Sequence, residues 1–129
     1  MLVKVVDASA IAALLFGEPE GQNTARRLSG NRLVAPELLF FEVASICLKK
    51  LKRYPEQRQS ILKAFEMLRR LTLDPVEVDH AEVVLLAERH GLTTYDASYL
   101  WLARRLGAEL VTLDQRLEKA WIGRDSLTF

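Results

Sequence analysis

"LVKVVDASAIAALLFG" (residues 2–17) decides the fold. Its first five residues are mostly β-branched and bounded by an acid, the pattern of a short buried strand. The next ten are small, apolar and compatible with a helix, so a strand feeds a helix with only Asp7 between them. The same alternation continues along the chain. "EPEGQNTARRLSG" (18–30) reads as a polar helical segment ending near Gly30, and "RLVA" (32–35) as a second strand. Pro36 suits the first turn of a helix running to about Leu51. Residues 55–71 form one further helix, with Ile61, Leu62, Phe65, Leu68 and Leu71 at spacings of three and four. "TLDPVEV" (72–78) is a weaker third strand; "DHAEVVLLAERHG" (79–91) and "TYDASYLWLARRLG" (94–107) are helices stopped by glycine. "AELVTL" (108–113) is a fourth strand, "DQRLEKA" (114–120) a short helix, and "SLTF" (126–129) a fifth, edge strand. Strands alternating with helices require crossover connections, hence an α/β fold of three layers, α/β/α, around a parallel four- to five-stranded sheet.

A chain of 129 residues, 50% hydrophobic and 27% charged, is expected to form one domain over residues 1–129, with no repeat or linker dividing it. No apolar run approaches the roughly 18 residues of a membrane span, and the start lacks the apolar core of a signal peptide, so a soluble cytoplasmic protein is expected. The single cysteine, Cys47, has no disulfide partner within the chain and is expected in the core. Net charge is only +1, but residues 24–70 hold 11 Lys and Arg against 4 acids, while the remainder is acidic. "LKKLKR" (48–53) is the densest basic stretch, readable either as a solvated helix end or as a phosphate-binding patch.

In a parallel α/β sheet the carboxyl ends of the strands and the starts of the following helices share one edge. Asp7 follows the first strand and Asp114 the fourth, and Asp96 begins the helix that returns the chain to the bottom of the fourth. Glu42 lies two turns into the helix after the second strand, so four carboxylates are drawn toward one edge. Asp7 and Asp114 have a simple alternative role as N-caps, and Thr93-x-x-Asp96 is a capping-box pattern. Glu42 has none. It is the only charge in "LLFFEVASICL" (38–48), too deep to cap, on a mostly apolar stripe with Leu38, Leu39, Ser45 and Ile46. Carboxylates crowded together repel unless a cation lies between them, and an all-oxygen set without His or Cys suits Mg²⁺ or Mn²⁺.

Through these residues the sequence resembles the PIN-domain ribonucleases, and among them the small VapC-type toxins of toxin–antitoxin systems. "VVDASAIAALL", "APELLFFEVASIC" and "TTYDASYLWLARRLGAELVTLD" resemble the family's motifs in order and spacing over nearly the whole chain. The resemblance implies a PIN-like fold in which Asp7, Glu42, Asp96 and Asp114 bind the metal and form the catalytic set, with Ser9 and Thr112 as supporting hydroxyls. Where some relatives carry a further acid, this chain has Leu117. The implied reaction is hydrolysis of an RNA phosphodiester by a metal-activated water. A polyanion must then be held by cations, and Arg26, Arg27, Lys49, Lys50, Lys52 and Arg53 are the candidates. A small antitoxin protein is the implied partner. The apolarity of residues 38–48 exceeds what one core face requires, and points to a homodimer.

Other features read as structural. His80 and His90 stand ten apart, off the spacing of a helical metal pair, and suit surface or capping positions. Tyr99, Trp101 and Trp121 have the spacing of core or interface aromatics rather than of a base-stacking platform. A receiver-type phosphotransfer domain or a haloacid-dehalogenase-like phosphatase wants further acids beside Asp7, where this chain has Ala8 and Ser9. A non-catalytic scaffold of the same fold, binding RNA or protein, is the principal alternative.

Overall fold

A computed structural model describes residues 2–123. The opening stretch forms β1 (Val3–Val6) and α1 (Ala8–Leu15), with Asp7 between them capping the helix. There follow α2 (Gly21–Leu28), β2 (Arg32–Pro36), α3 (Leu38–Arg53), α4 (Arg58–Glu66), β3 (Leu73–Val76), α5 (His80–His90), α6 (Thr94–Leu106), β4 (Glu109–Val111) and α7 (Gln115–Ile122). Short 3₁₀ turns at Pro55–Gln57 and Met67–Arg70 flank α4. The four strands are parallel in the order β3-β2-β1-β4, with Val5 opposite both Val34 and Leu110. Helix α6 packs on β1, β2 and β4 with α5 and α7 beside it, while α1, α2, α3 and α4 pack among themselves as the other layer. The expected three-layer α/β/α arrangement is therefore present.

The core explains the apolar runs. Val5, Val6, Val34, Ala35, Leu110 and Val111 belong to one buried cluster with Ile11 of α1, Leu39 and Val43 of α3, and Leu100 and Leu102 of α6. Strands covered on both faces have no alternation to show, which is why they read as continuous β-branched runs. Cys47 is buried, as expected. Glycine is needed where α2 meets α1: a Cβ on Gly21 would lie 2.6 Å from the carbonyl oxygen of Ala13. Gly107 ends α6 at φ +62°, a conformation open to glycine at no steric cost.

Boundaries differ from the sequence reading around two prolines, Pro36 and Pro55. Pro36 is the last residue of β2, opposite Val76, rather than part of a helix; Glu37 precedes α3. Residues 55–71 are one α-helix bracketed by 3₁₀ turns instead of a single helix, because Pro55 opens a tight turn and the backbone becomes extended at Leu71. β3 carries Pro75, tolerable because β3 is at an edge of the sheet. The expected strand at 126–129 lies outside the described residues. No helix among the described residues is long and apolar enough to cross a membrane.

Candidate active site

The sheet edge collects the four acids as its topology requires. Asp7 leaves β1 and its backbone N–H donates to the carbonyl of Val111, tying the ends of β1 and β4 together. Its side chain is only 4% exposed. Three donors meet it: Ser9 Oγ at 2.7 Å and the Ala10 N–H at 3.0 Å on Oδ1, and Thr112 Oγ1 at 2.5 Å on Oδ2. Thr112 Oγ1 also accepts the N–H of Asp114 at 3.0 Å, and Ser9 Oγ accepts the N–H of Leu113 at 2.9 Å. Both hydroxyls singled out from the sequence thus lock the Asp7 carboxylate to the loop that carries Asp114. Burial pushes Asp7 above the usual carboxylate range; the donors from Thr112, Ser9 and Ala10 pull against it, and the Asp114 charge adds to it.

The remaining acids complete a ring of mutual repulsion. Burial raises Glu42 and the charges of Asp96 and Asp7 raise it further, while burial and then Asp114 raise Asp96. Asp114 N-caps α7 by accepting the Leu117 N–H at 2.9 Å, and Asp96 sits in the first turn of α6 with its N–H on Thr93 Oγ1. The capping roles and the convergence are therefore both real. Glu42 finds the partner that its apolar setting demands: the buried Tyr99 hydroxyl donates to its Oε1 at 2.5 Å. Tyr99 lies one turn beyond Asp96 on α6, a spacing of three that puts both on one helix face and was the available signal for it. Arg116, two residues past Asp114, also went unnoticed in the sequence; its charge opposes the rise of Asp96.

Among the described residues no three acid, His or Cys side chains form a ready-made ligand cage. Asp7, Glu42, Asp96 and Asp114 nevertheless stand within electrostatic reach of one another, and all-oxygen donors of this kind suit a hard divalent cation that keeps part of its water shell. Leu117 is fully buried and adds no oxygen.

The basic candidates separate. Lys49 lines a groove of about 450 Å³ with Glu42, Ala8, Leu38, Phe41, Ser45, Ile46 and Tyr95. Lys52 and Arg53 lie a turn further along α3, exposed, with Arg53 over the Tyr54 ring. Lys50 turns to the end of α1, paired with Glu18 at 3.1 Å and lying over Phe16. Arg27 pairs with Glu109, the first residue of β4, at 2.9 Å, and Lys4 joins them at 3.2 Å. This clamp closes the amino end of the sheet, opposite the acids, and Arg26 is beside it in the last turn of α2. Neither arginine is brought to the site. Trp101 is buried and donates to Glu82, consistent with a core position. His80 is exposed at the start of α5, whereas the Nε2 of His90 is buried and has no hydrogen-bond partner among the described residues.

Comparison with known proteins identifies the family and the fold. The model of the PIN domain matches residues 4–121. Ribonuclease VapC3 of Pyrobaculum aerophilum is 35% identical over 118 residues, covering 88% of this chain and 90% of its own. Ribonuclease VapC9 of Mycobacterium tuberculosis is 33% identical over 113 residues, covering 88% and 87%. The crystal structure of PAE2754 from P. aerophilum superposes with a TM-score of 0.65 at 25% identity, over 92% of this chain and 86% of that one. That of M. tuberculosis VapC20, described as a toxin cleaving the sarcin–ricin loop, shares the fold with a TM-score of 0.66 at 19% identity, over 91% and 94%. With acids at the motif positions, the expected sheet and relatives of this identity over most of its length, the chain belongs to the PIN-domain family, on its VapC-type branch.

Proposed function

We propose that this protein is a metal-dependent endoribonuclease, the toxin of a toxin–antitoxin pair, acting as one unit over residues 1–129. The observation that carries this reading is the convergence of Asp7, Glu42, Asp96 and Asp114 on one sheet edge, where burial first, and then the charges of neighbouring acids, push Asp7, Glu42 and Asp96 above the usual carboxylate range. The relatives named ribonuclease supply the substrate class. Mg²⁺ or Mn²⁺, held by these four residues, would supply Lewis acidity toward a phosphodiester and a coordinated water of lowered pKa. The residues of the chain do the rest. Ser9 and Thr112 orient Asp7, Tyr99 orients Glu42, and the cap on α7 fixes Asp114. Lys49 in the groove offers a cation to the RNA backbone, with Lys52 and Arg53 beyond it.

Further parts of the reading follow from the surface. Phe41 is 82% exposed and Leu48 52%, on the outer side of α3, and we assign this apolar strip to a homodimer. An antitoxin would silence the site in the cytoplasm. Cleavage of a mixed cellular RNA pool, with Mg²⁺, Mn²⁺ or chelator and beside Asp96→Asn, tests the central point. Discrete metal-dependent cuts that vanish in the variant are expected. A folded, antitoxin-free sample that cuts nothing in either ion would instead make the chain a binding scaffold.

A further inference from the structure

The acidic ring has cations on two flanks. Lys49 stands on the α3 side; the other flank is a pocket of about 580 Å³ lined by His90, Gln115, Arg116, Lys119 and Ala120. Its polar lining consists of groups able to donate, with no acid among them. Gln115, Arg116 and Lys119 come from the first two turns of α7, the helix that Asp114 caps, and all three are exposed. Arg116 stands within electrostatic reach of Asp96, so pocket and acids adjoin. His90 comes from the end of α5, and its Nε2 is a buried polar atom still lacking a partner among the described residues. Among the described residues neither the Arg116 nor the Lys119 side chain makes a hydrogen bond or ion pair that would hold α7 in place, so their folding role is small.

We infer that this pocket is a phosphate subsite, binding an RNA backbone phosphate next to the scissile one through Arg116, Lys119 and Gln115. The inference rests on the ribonuclease reading and adds to it where the strand runs: across the acids, between Lys49 and α7. Arg116 suits a bidentate grip on a phosphate and Lys119 a point charge. The charges of Arg116 and Lys119 also offset the repulsion that four carboxylates exert on a polyanion.

Salt-dependent cleavage kinetics on a single-stranded RNA cut by the wild-type protein test it. Each single-strand phosphate contact contributes about 0.7 to the slope of log affinity against log salt. Between about 50 and 200 mM salt, removing one contact therefore shrinks the loss in kcat/KM by about 2.6-fold, and removing two by about sevenfold. Lys119→Gln is expected to raise KM, leave kcat unchanged and show the single-contact change; Arg116→Gln with Lys119→Gln should show the double one. Lys63→Gln, an exposed cation on α4, is the control. If all three leave the salt dependence alone while the wild type cuts RNA, the subsite is wrong and the ribonuclease reading stands. An equal effect from Lys63→Gln reduces the pocket to general charge and overturns the subsite as well. A wild type that cuts no RNA with either ion overturns both.

Discussion

Tyr99→Phe isolates one contact of the site. The ring is 1% exposed and stays packed, so the substitution removes only the hydroxyl that donates to Glu42 Oε1 at 2.5 Å. A hydrogen bond to a charged acceptor is worth about 1.5–3 kcal/mol, and water reaching the half-buried Glu42 recovers part of it, leaving a loss of about 1–2 kcal/mol. For a chain of this size that lowers Tm by roughly 4–8 °C. The pH dependence follows from which form of Glu42 the bond favours. Tyr99 stays neutral, since burial and the Glu42 charge push its hydroxyl far above the usual tyrosine range. Its bond stabilises the ionised carboxylate, whose pKa burial already raises above 4.5. The contribution is therefore present above that raised pKa and fades as pH falls through it. Thermal melts of both proteins without metal, from about pH 4 to 8, should show a gap that narrows toward acid. Without Tyr99, Glu42 rises further, so the acid limb of the cleavage profile should move to higher pH. A stability gap below about 0.3 kcal/mol, or one that is constant with pH, would refute the assignment of Tyr99 as the partner of ionised Glu42.

Other perturbations test other links. Asp96→Asn should abolish cleavage yet melt no lower than wild type at pH 7 without metal, because burial and Asp114 oppose the charge it removes. Thr112→Val keeps the shape but removes a donor to Asp7 and the acceptor of the Asp114 N–H, costing about 2–4 kcal/mol by denaturant melt together with most of the activity. Mg²⁺ at about a hundred times its dissociation constant should raise wild-type stability by about 2.7 kcal/mol, and Asp7→Asn should lose that gain in calorimetry. Arg27→Gln breaks an exposed pair at the amino end of the sheet; it should cost under about 1 kcal/mol and leave RNA cleavage kinetics unchanged.

Much of the molecule was legible in the order of its residues. β1 and α1 could be read from residues 2–17 because fully covered parallel strands are continuous apolar runs, and Gly91 and Gly107 marked helix ends by their chemistry. Parallel crossovers then dictated that Asp7, Asp96 and Asp114 share an edge, and Glu42 announced itself as a charge without a local reason. Ser9 and Thr112 came from family resemblance, and their bonds to Asp7 account for them physically. What local pattern does not encode is which face of a helix meets what. Arg27 and Lys50 looked equivalent to Lys49 in a basic segment, yet Glu109 and Glu18, distant in sequence, take the first two, while Lys49 stays in the groove beside Glu42. Tyr99 read as a core or interface aromatic, and it is buried; only the tertiary arrangement that brings Glu42 of α3 to Tyr99 of α6 turned its hydroxyl into the answer for Glu42. The pocket on α7 likewise exists only because the end of α5 comes to rest beside it, joining His90 to residues 25 and more positions away. Periodicity and turn chemistry act over a few residues and determined the elements; charge pairing and pocket formation depend on distances closed by the fold, and only the tertiary structure decided them.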